Sequence, residues 1–227
     1  MLVDEVIPGK HINLLFHATV MAGAGDIVIE EMEATFQKKK GSYVLVVEGA
    51  IPTAGNASDY GSIGEDDGKL VSIFERVESL GRDALAVIAL GTCAAFGGVA
   101  AGAPNPAGCI GVAEVFNRRS IATPLINIPG CPPHPDWFVG TIAKVLLLGL
   151  PKPEELDEHK RPKEFFGRLI HENCPRRAYL DEGKFAKNFG EPGCLNELGC
   201  KGPVTYADCP LRLWNGGVNW CIGSGSP

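Results

Sequence analysis

Up to about residue 150, short apolar runs alternate with amphipathic stretches of helical spacing. Residues 12–16, 43–47, 85–90 and 125–128 read as strands, and the run at 43–47 is β-branched and unbroken, as in a strand buried on both faces. Residues 27–38 carry helical spacing with acidic residues early and lysines late. Over 66–80 the apolar residues Leu70, Ile73, Phe74 and Val77 fall at i, i+3, i+4 and i+7, which predicts a helix closed by Gly81. A short helix is expected over 112–117, and a long one over 134–148, after the Pro132-Pro133 stop. Strands alternating with helices in this way predict an α/β fold with a parallel, doubly wound sheet over residues 1–150.

The pattern fails beyond that point. Residues 151–227 hold ten glycines and eight prolines, with clear periodicity only in a short helical stretch at 163–170. So irregular a segment orders poorly by burial alone. Its aromatic residues Phe165, Phe166, Tyr179, Phe185, Phe189, Trp214 and Trp220 nevertheless argue against disorder. A second, mostly loop and short-helix domain over 151–227, stapled by something other than an apolar core, is the expectation.

Composition narrows the classes. The 227 residues are 45% hydrophobic, enough for a sizeable core. A net charge of −6 argues against a nucleic-acid partner, which needs a basic face. No apolar run approaches the roughly 18 residues of a membrane span, and the first residues do not read as a signal peptide.

The eight cysteines carry the chemistry. Cys93 and Cys131 each follow an apolar run ending in glycine, as Leu90-Gly91-Thr92-Cys93 and Ile128-Pro129-Gly130-Cys131. In an open parallel sheet, sites gather in loops at the carboxyl ends of strands, so Glu48, Cys93 and Cys131 fall on one expected rim. His171 and Cys174 are spaced for one turn, and Cys194 and Cys200 flank Leu195-Asn196-Glu197-Leu198-Gly199. Together they make a His-Cys-Cys-Cys set. Soft thiolates on irregular backbone suit iron–sulfur clusters, while Cys₃His zinc and a disulfide framework remain open at this point. Cys209 and Cys221 form one half-site, Cys93 and Cys131 another, and Cys109 reads as a packed thiol. Arg176, Arg177, Lys184 and Lys187 lie near the His171 set, and solvated surface charge is their simplest reading.

From about His17 onward the motifs resemble the small subunit of nickel–iron hydrogenases. They are Val47-Glu48-Gly49-Ala50-Ile51-Pro52, Gly91-Thr92-Cys93-Ala94, Pro129-Gly130-Cys131-Pro132-Pro133-His134-Pro135-Asp136-Trp137 and His171-Glu172-Asn173-Cys174-Pro175. Two more are Pro192-Gly193-Cys194-Leu195-Asn196-Glu197-Leu198-Gly199-Cys200-Lys201-Gly202-Pro203 and Ala207-Asp208-Cys209-Pro210. The resemblance implies a flavodoxin-like domain followed by an iron–sulfur domain. It further implies a hydrogenase (H2:acceptor oxidoreductase) heterodimer, in which this subunit relays electrons from a nickel–iron site in the large subunit to an external acceptor such as a cytochrome.

The ligand roles come by the same route. Cys93 and Cys131 match half of a proximal 4Fe-4S set, beside which Glu48 falls. His171, Cys174, Cys194 and Cys200 match a whole distal 4Fe-4S set, and Cys209 matches a medial ligand. Asn219-Trp220-Cys221 resembles the nickel–iron–selenium subgroup, where the medial cluster is 4Fe-4S and not 3Fe-4S. No catalytic residue is expected here. The resemblance also implies a Cys-x-x-Cys pair before Met1 and another beyond Pro227, so the chain reads as truncated at both ends. The implied location is periplasmic or membrane-associated. The alternatives are a related iron–sulfur electron-transfer subunit of a respiratory or ferredoxin-linked complex, or a zinc- or disulfide-stapled binding module.

Overall fold

The computed structural model describes residues 8–9, 11–23 and 25–227. Two compact units divide between Pro151 and Lys152.

Unit 1 is built on a parallel sheet of β1 (Val44–Glu48), β4 (Ala86–Leu90) and β5 (Leu125–Ile128), in that order. β4 and β5 are apolar because both of their faces are covered: Val87, Ile88, Ile126 and Ile128 are fully buried. β1 departs from the expectation of burial on both faces, since Val46 is 40% exposed while Val47 is buried. Residues 12–16 form no strand. An apolar run becomes a strand only by pairing with an available edge, and here Leu14 is turned outward.

Helices α1 (Asp26–Lys38), α4 (Val112–Arg119) and α5 (Pro135–Leu148) fall within or close to the expected segments, whereas the expected loop at Cys93 is instead the start of a short helix, α3 (Thr92–Phe96). His134 caps α5, its Nδ1 accepting from the backbone N–H of Asp136 at 3.1 Å, with Pro135 in the first turn.

The expected helix over 66–80 is the main correction. Residues up to Ser72 form a hairpin of β2 (Ser62–Asp66) and β3 (Lys69–Ser72) around Asp67 and Gly68, both at positive φ. That is the Asp-Gly turn whose twist matches the strands it joins. Helix α2 (Ile73–Asp83) begins only where Ser72 and Glu75 close a capping box. Leu70 is therefore an exposed strand residue. Gly81 does not end the helix; it lies inside α2, where a Cβ would meet the Phe116 ring at 3.0 Å. Arg76 then ties the parts together, donating to the Ile63 carbonyl at 2.9 Å and pairing with Glu33 of α1.

The box gives a direct test. Ser72 accepts from the Glu75 N–H at 3.2 Å, and the Glu75 carboxylate accepts from the Ser72 N–H and hydroxyl, each at 2.8 Å. Those bonds hold Glu75 below its ordinary pKa, the Ser72 N–H foremost. Ser72→Ala should destabilise unit 1 by about 1 kcal/mol, read as a lower urea midpoint with unchanged slope.

Unit 2 contains only short elements: α6 (Lys163–Phe166), α7 (Arg177–Asp181), α8 (Cys209–Arg212) and several single 3₁₀ turns. The expected 163–170 helix stops at Phe166, where the poor helix former Gly167 follows, packed where a Cβ would meet the Lys163 carbonyl, and the chain re-forms as a 3₁₀ turn over Ile170–Asn173. Arg161, held by Asp157 at 2.7 Å, lies over the rings of Phe166 and Tyr206.

Candidate redox-centre site

On unit 1 the strand register sets the rim. Glu48 pairs with Leu90, and Leu90 with Ile128, so all three strands end in one row. Beyond it the two cysteine loops are latched. The Thr92 N–H donates to the Gly130 carbonyl at 2.9 Å, and the Gly130 N–H donates to Thr92 Oγ1 at 3.0 Å. Cys93 and Cys131 are the next residue on each side of this latch. Cys93 is half-buried at the start of α3, Cys131 is exposed, and Gly98 lies so close to the Cys93 sulfur that a Cβ would approach it to 2.6 Å. Glu48 is exposed on the same rim. Cys109 stands apart, its backbone N–H and carbonyl both clamped by the Asn105 amide.

In unit 2, His171, Cys174, Cys194 and Cys200 all line one pocket that opens to solvent. They arrive on three irregular segments. His171 lies in the 3₁₀ turn and Cys174 caps it, with the Cys174 N–H reaching the His171 carbonyl. Cys194 is held by a short parallel bridge, its N–H donating to Lys184 and its carbonyl accepting from Ala186. Cys200 follows Gly199, whose φ of +94° closes the preceding turn, a conformation that favours glycine.

The donors suit a thiolate centre. The Gly202 N–H lies 3.4 Å from the Cys200 sulfur, and the Arg176 N–H donates to the Cys174 sulfur. N–H groups aimed at sulfur stabilise thiolates and tune bound iron. Burial pushes the Cys174 thiol up, reinforced by its neighbours Cys200 and Cys194 and opposed by the Arg176 N–H and charge. Three thiols this close repel once ionised, so a metal that displaces their protons relieves both penalties. None of the eight cysteines is in a disulfide.

Cys209 opens α8, and burial raises its pKa as well. The chain turns back through Trp214 and Asn219, whose backbones pair at 2.6 Å, and brings Cys221 near enough for its charge to act on Cys209. Trp214 donates to the Cys209 sulfur. The cysteine spacing could not reveal the sulfur-directed donors Arg176, Gly202 and Trp214, because each bond depends on how loops fold.

Comparisons place these parts. Residues 166–227 match the family model for the C-terminal part of the NiFe/NiFeSe hydrogenase small subunit, and residues 3–145 match that of NADH ubiquinone oxidoreductase, 20 Kd subunit. The two matches together define the class, an electron-transfer subunit. The periplasmic [NiFeSe] hydrogenase small subunit of Desulfomicrobium baculatum is 46% identical over 220 residues, which cover 93% of this chain and 70% of that protein. The hydrogenase-2 small chain of Escherichia coli (strain K12) is 41% identical over 222 residues, covering 95% of this chain and 56% of that one. A solved structure of recombinant [NiFeSe] hydrogenase from Desulfovibrio vulgaris Hildenborough superposes with a TM-score of 0.89 at 44% identity, covering 96% of this chain and 80% of that chain. The chain belongs to the NiFe/NiFeSe hydrogenase small-subunit family. Among the described residues no helix is long and apolar enough to cross a membrane.

Proposed function

We propose that this chain relays electrons between the nickel–iron site of a hydrogenase large subunit and an external acceptor, through iron–sulfur centres held by its own cysteines and one histidine. The observation that carries the reading is the single pocket lined by His171, Cys174, Cys194 and Cys200. Iron–sulfur clusters, when bound, take up and release single electrons at potentials set by ligands and surroundings. The protein's part is to fix those ligands, bury them and aim N–H donors at the sulfurs.

Residue by residue, His171, Cys174, Cys194 and Cys200 would hold a distal 4Fe-4S centre. Cys93 and Cys131 would give two ligands of a proximal 4Fe-4S centre, with Glu48 placed to hold a charge or hand on a proton there. Cys209 and Cys221 would serve a medial centre, and a thiolate at Cys221 favours 4Fe-4S over 3Fe-4S. One histidine and three cysteines lining one void are a donor set that an iron–sulfur cluster can use. The runner-up, a respiratory-complex subunit, draws on the 3–145 match; the 166–227 match and the His171 set favour the hydrogenase. Relatives named as periplasmic support a periplasmic or membrane-associated location; an external acceptor such as a cytochrome completes the reading.

Iron and acid-labile sulfide assays with EPR on the anaerobically purified heterodimer test this reading. Iron and sulfide in comparable amounts are expected; stoichiometric zinc without iron would refute it. His171→Ala should alter or abolish one reducible signal while unit 1 keeps its circular dichroism. An unchanged spectrum removes His171 from the ligand set.

A further inference from the structure

Arg176 lies two residues beyond Cys174 and lines the same pocket, yet the proposed ligand set makes no use of its side chain. Its Nε donates to the Ile222 carbonyl at 2.9 Å. Its Nη1 donates to the carbonyls of Glu191 at 2.8 Å and Gly193 at 2.9 Å. These acceptors belong to two separate stretches: Glu191 and Gly193 lead into Cys194, and Ile222 follows Cys221. The same stretches meet again where the Gly190 N–H donates to the Gly225 carbonyl at 3.0 Å. Gly225 approaches so closely that a Cβ would lie 2.6 Å from the Gly190 Cα.

A guanidinium presents its donors in a fixed planar fork, so one side chain can serve three carbonyls at set angles. A lysine ammonium carries the same charge without that geometry. Loss of the fork leaves three half-buried carbonyls short of a donor and frees two cysteine-bearing loops at once.

We infer that Arg176 is a positioning residue shared by two thiolate sites, its guanidinium fixing both the approach to Cys194 in the His171 pocket and the backbone that follows Cys221. The inference rests on the cluster reading above. Its consequence is coupling: a disturbance at Arg176 reaches the Cys209–Cys221 site as well as the pocket that Arg176 lines. The neighbouring Arg177 lines the pocket too, but its side chain is exposed, so it supplies charge without tying the loops.

EPR-monitored redox titration of the assembled heterodimer, with iron content as a second readout, tests this on wild type, Arg176→Gln, Arg176→Lys and Arg177→Gln. In Arg176→Gln both centres should change, the oxidised-to-reduced ratio at fixed poise moving roughly threefold to tenfold, tenfold being about 59 mV for one electron. Arg177→Gln should move the His171 centre alone. Arg176→Lys should retain iron yet still alter the Cys209–Cys221 signal, and so decides the matter if Arg176→Gln fails to load. The inference is overturned if Arg176→Gln leaves the Cys209–Cys221 centre as in wild type, if Arg177→Gln moves both centres equally, or if Arg176→Lys reproduces both wild-type signals. A wild type without iron–sulfur signals overturns the cluster reading itself.

Discussion

Anaerobic removal of iron from the heterodimer should open residues 152–227 to proteolysis and amide exchange while the parallel sheet of unit 1 stays protected. The longest helix of unit 2, α7, has five residues, too short to persist without tertiary support. Its buried apolar residues are Phe165, Phe166, Ile170, Ala186, Leu195, Ala207, Trp220 and Ile222, eight in number and two of them alanines. Unit 1 buries strands β4 and β5 and a continuous cluster from Val47 to Leu125. Metal–thiolate binding in small domains that fold on metal is worth on the order of 10–16 kcal/mol, enough to decide whether such a segment is ordered. Exchange measured by mass spectrometry should rise at least roughly a hundredfold over 171–200, a loss of about 2.7 kcal/mol of local stability. Full protection of that segment after iron loss would show that its loops hold themselves, and would remove the clusters from their structural role.

What was legible in the sequence follows from where the information is encoded. Strands β4 and β5 were readable because burial on both faces demands unbroken apolar runs. The cysteines and His171 were readable because their chemistry is carried by residue type. The 66–80 helix misled for an instructive reason. Leu70 falls into helical phase with Ile73, Phe74 and Val77, but Asp67-Gly68 and the Ser72-x-x-Glu75 box are stronger local signals, and both were present in the chain. Turn and cap chemistry overrode periodicity. Residues 12–16 misled differently, since a strand is a relation between two segments and no local pattern reports the second. The same limit hid Arg176: its charge was visible, but its three carbonyl partners lie 15 to 46 residues away. The Thr92–Gly130 latch is equally silent in sequence, although the two Gly-bearing loops on one rim pointed to where it would form.

Gly130→Ala should destabilise unit 1 by roughly 3–5 kcal/mol, combining backbone strain with overpacking. Gly130 has φ +150°, a region that L side chains rarely adopt. An added Cβ would lie 2.4 Å from the Pro133 Cα and 2.8 Å from the Pro132 carbonyl oxygen, both backbone atoms that cannot swing aside. Relief must come from moving the Cys131 loop or from breaking the bonds that join Gly130 to Thr92. Either way the separation of Cys93 from Cys131 changes, so the EPR signal assigned to their centre should shift while that of the His171 pocket does not. Gly149→Ala is the control: Gly149 also has positive φ, at +85°, but an added Cβ meets nothing within 4 Å. With ψ at −169° this is backbone that glycine alone adopts readily, so the variant should cost about 1–3 kcal/mol of strain but no clash. If urea midpoints place the two variants within about 0.5 kcal/mol of each other, crowding at Gly130 is not what holds the Cys131 loop. A large gap with an unshifted signal would instead mean that the latch stabilises the fold without setting the thiol spacing.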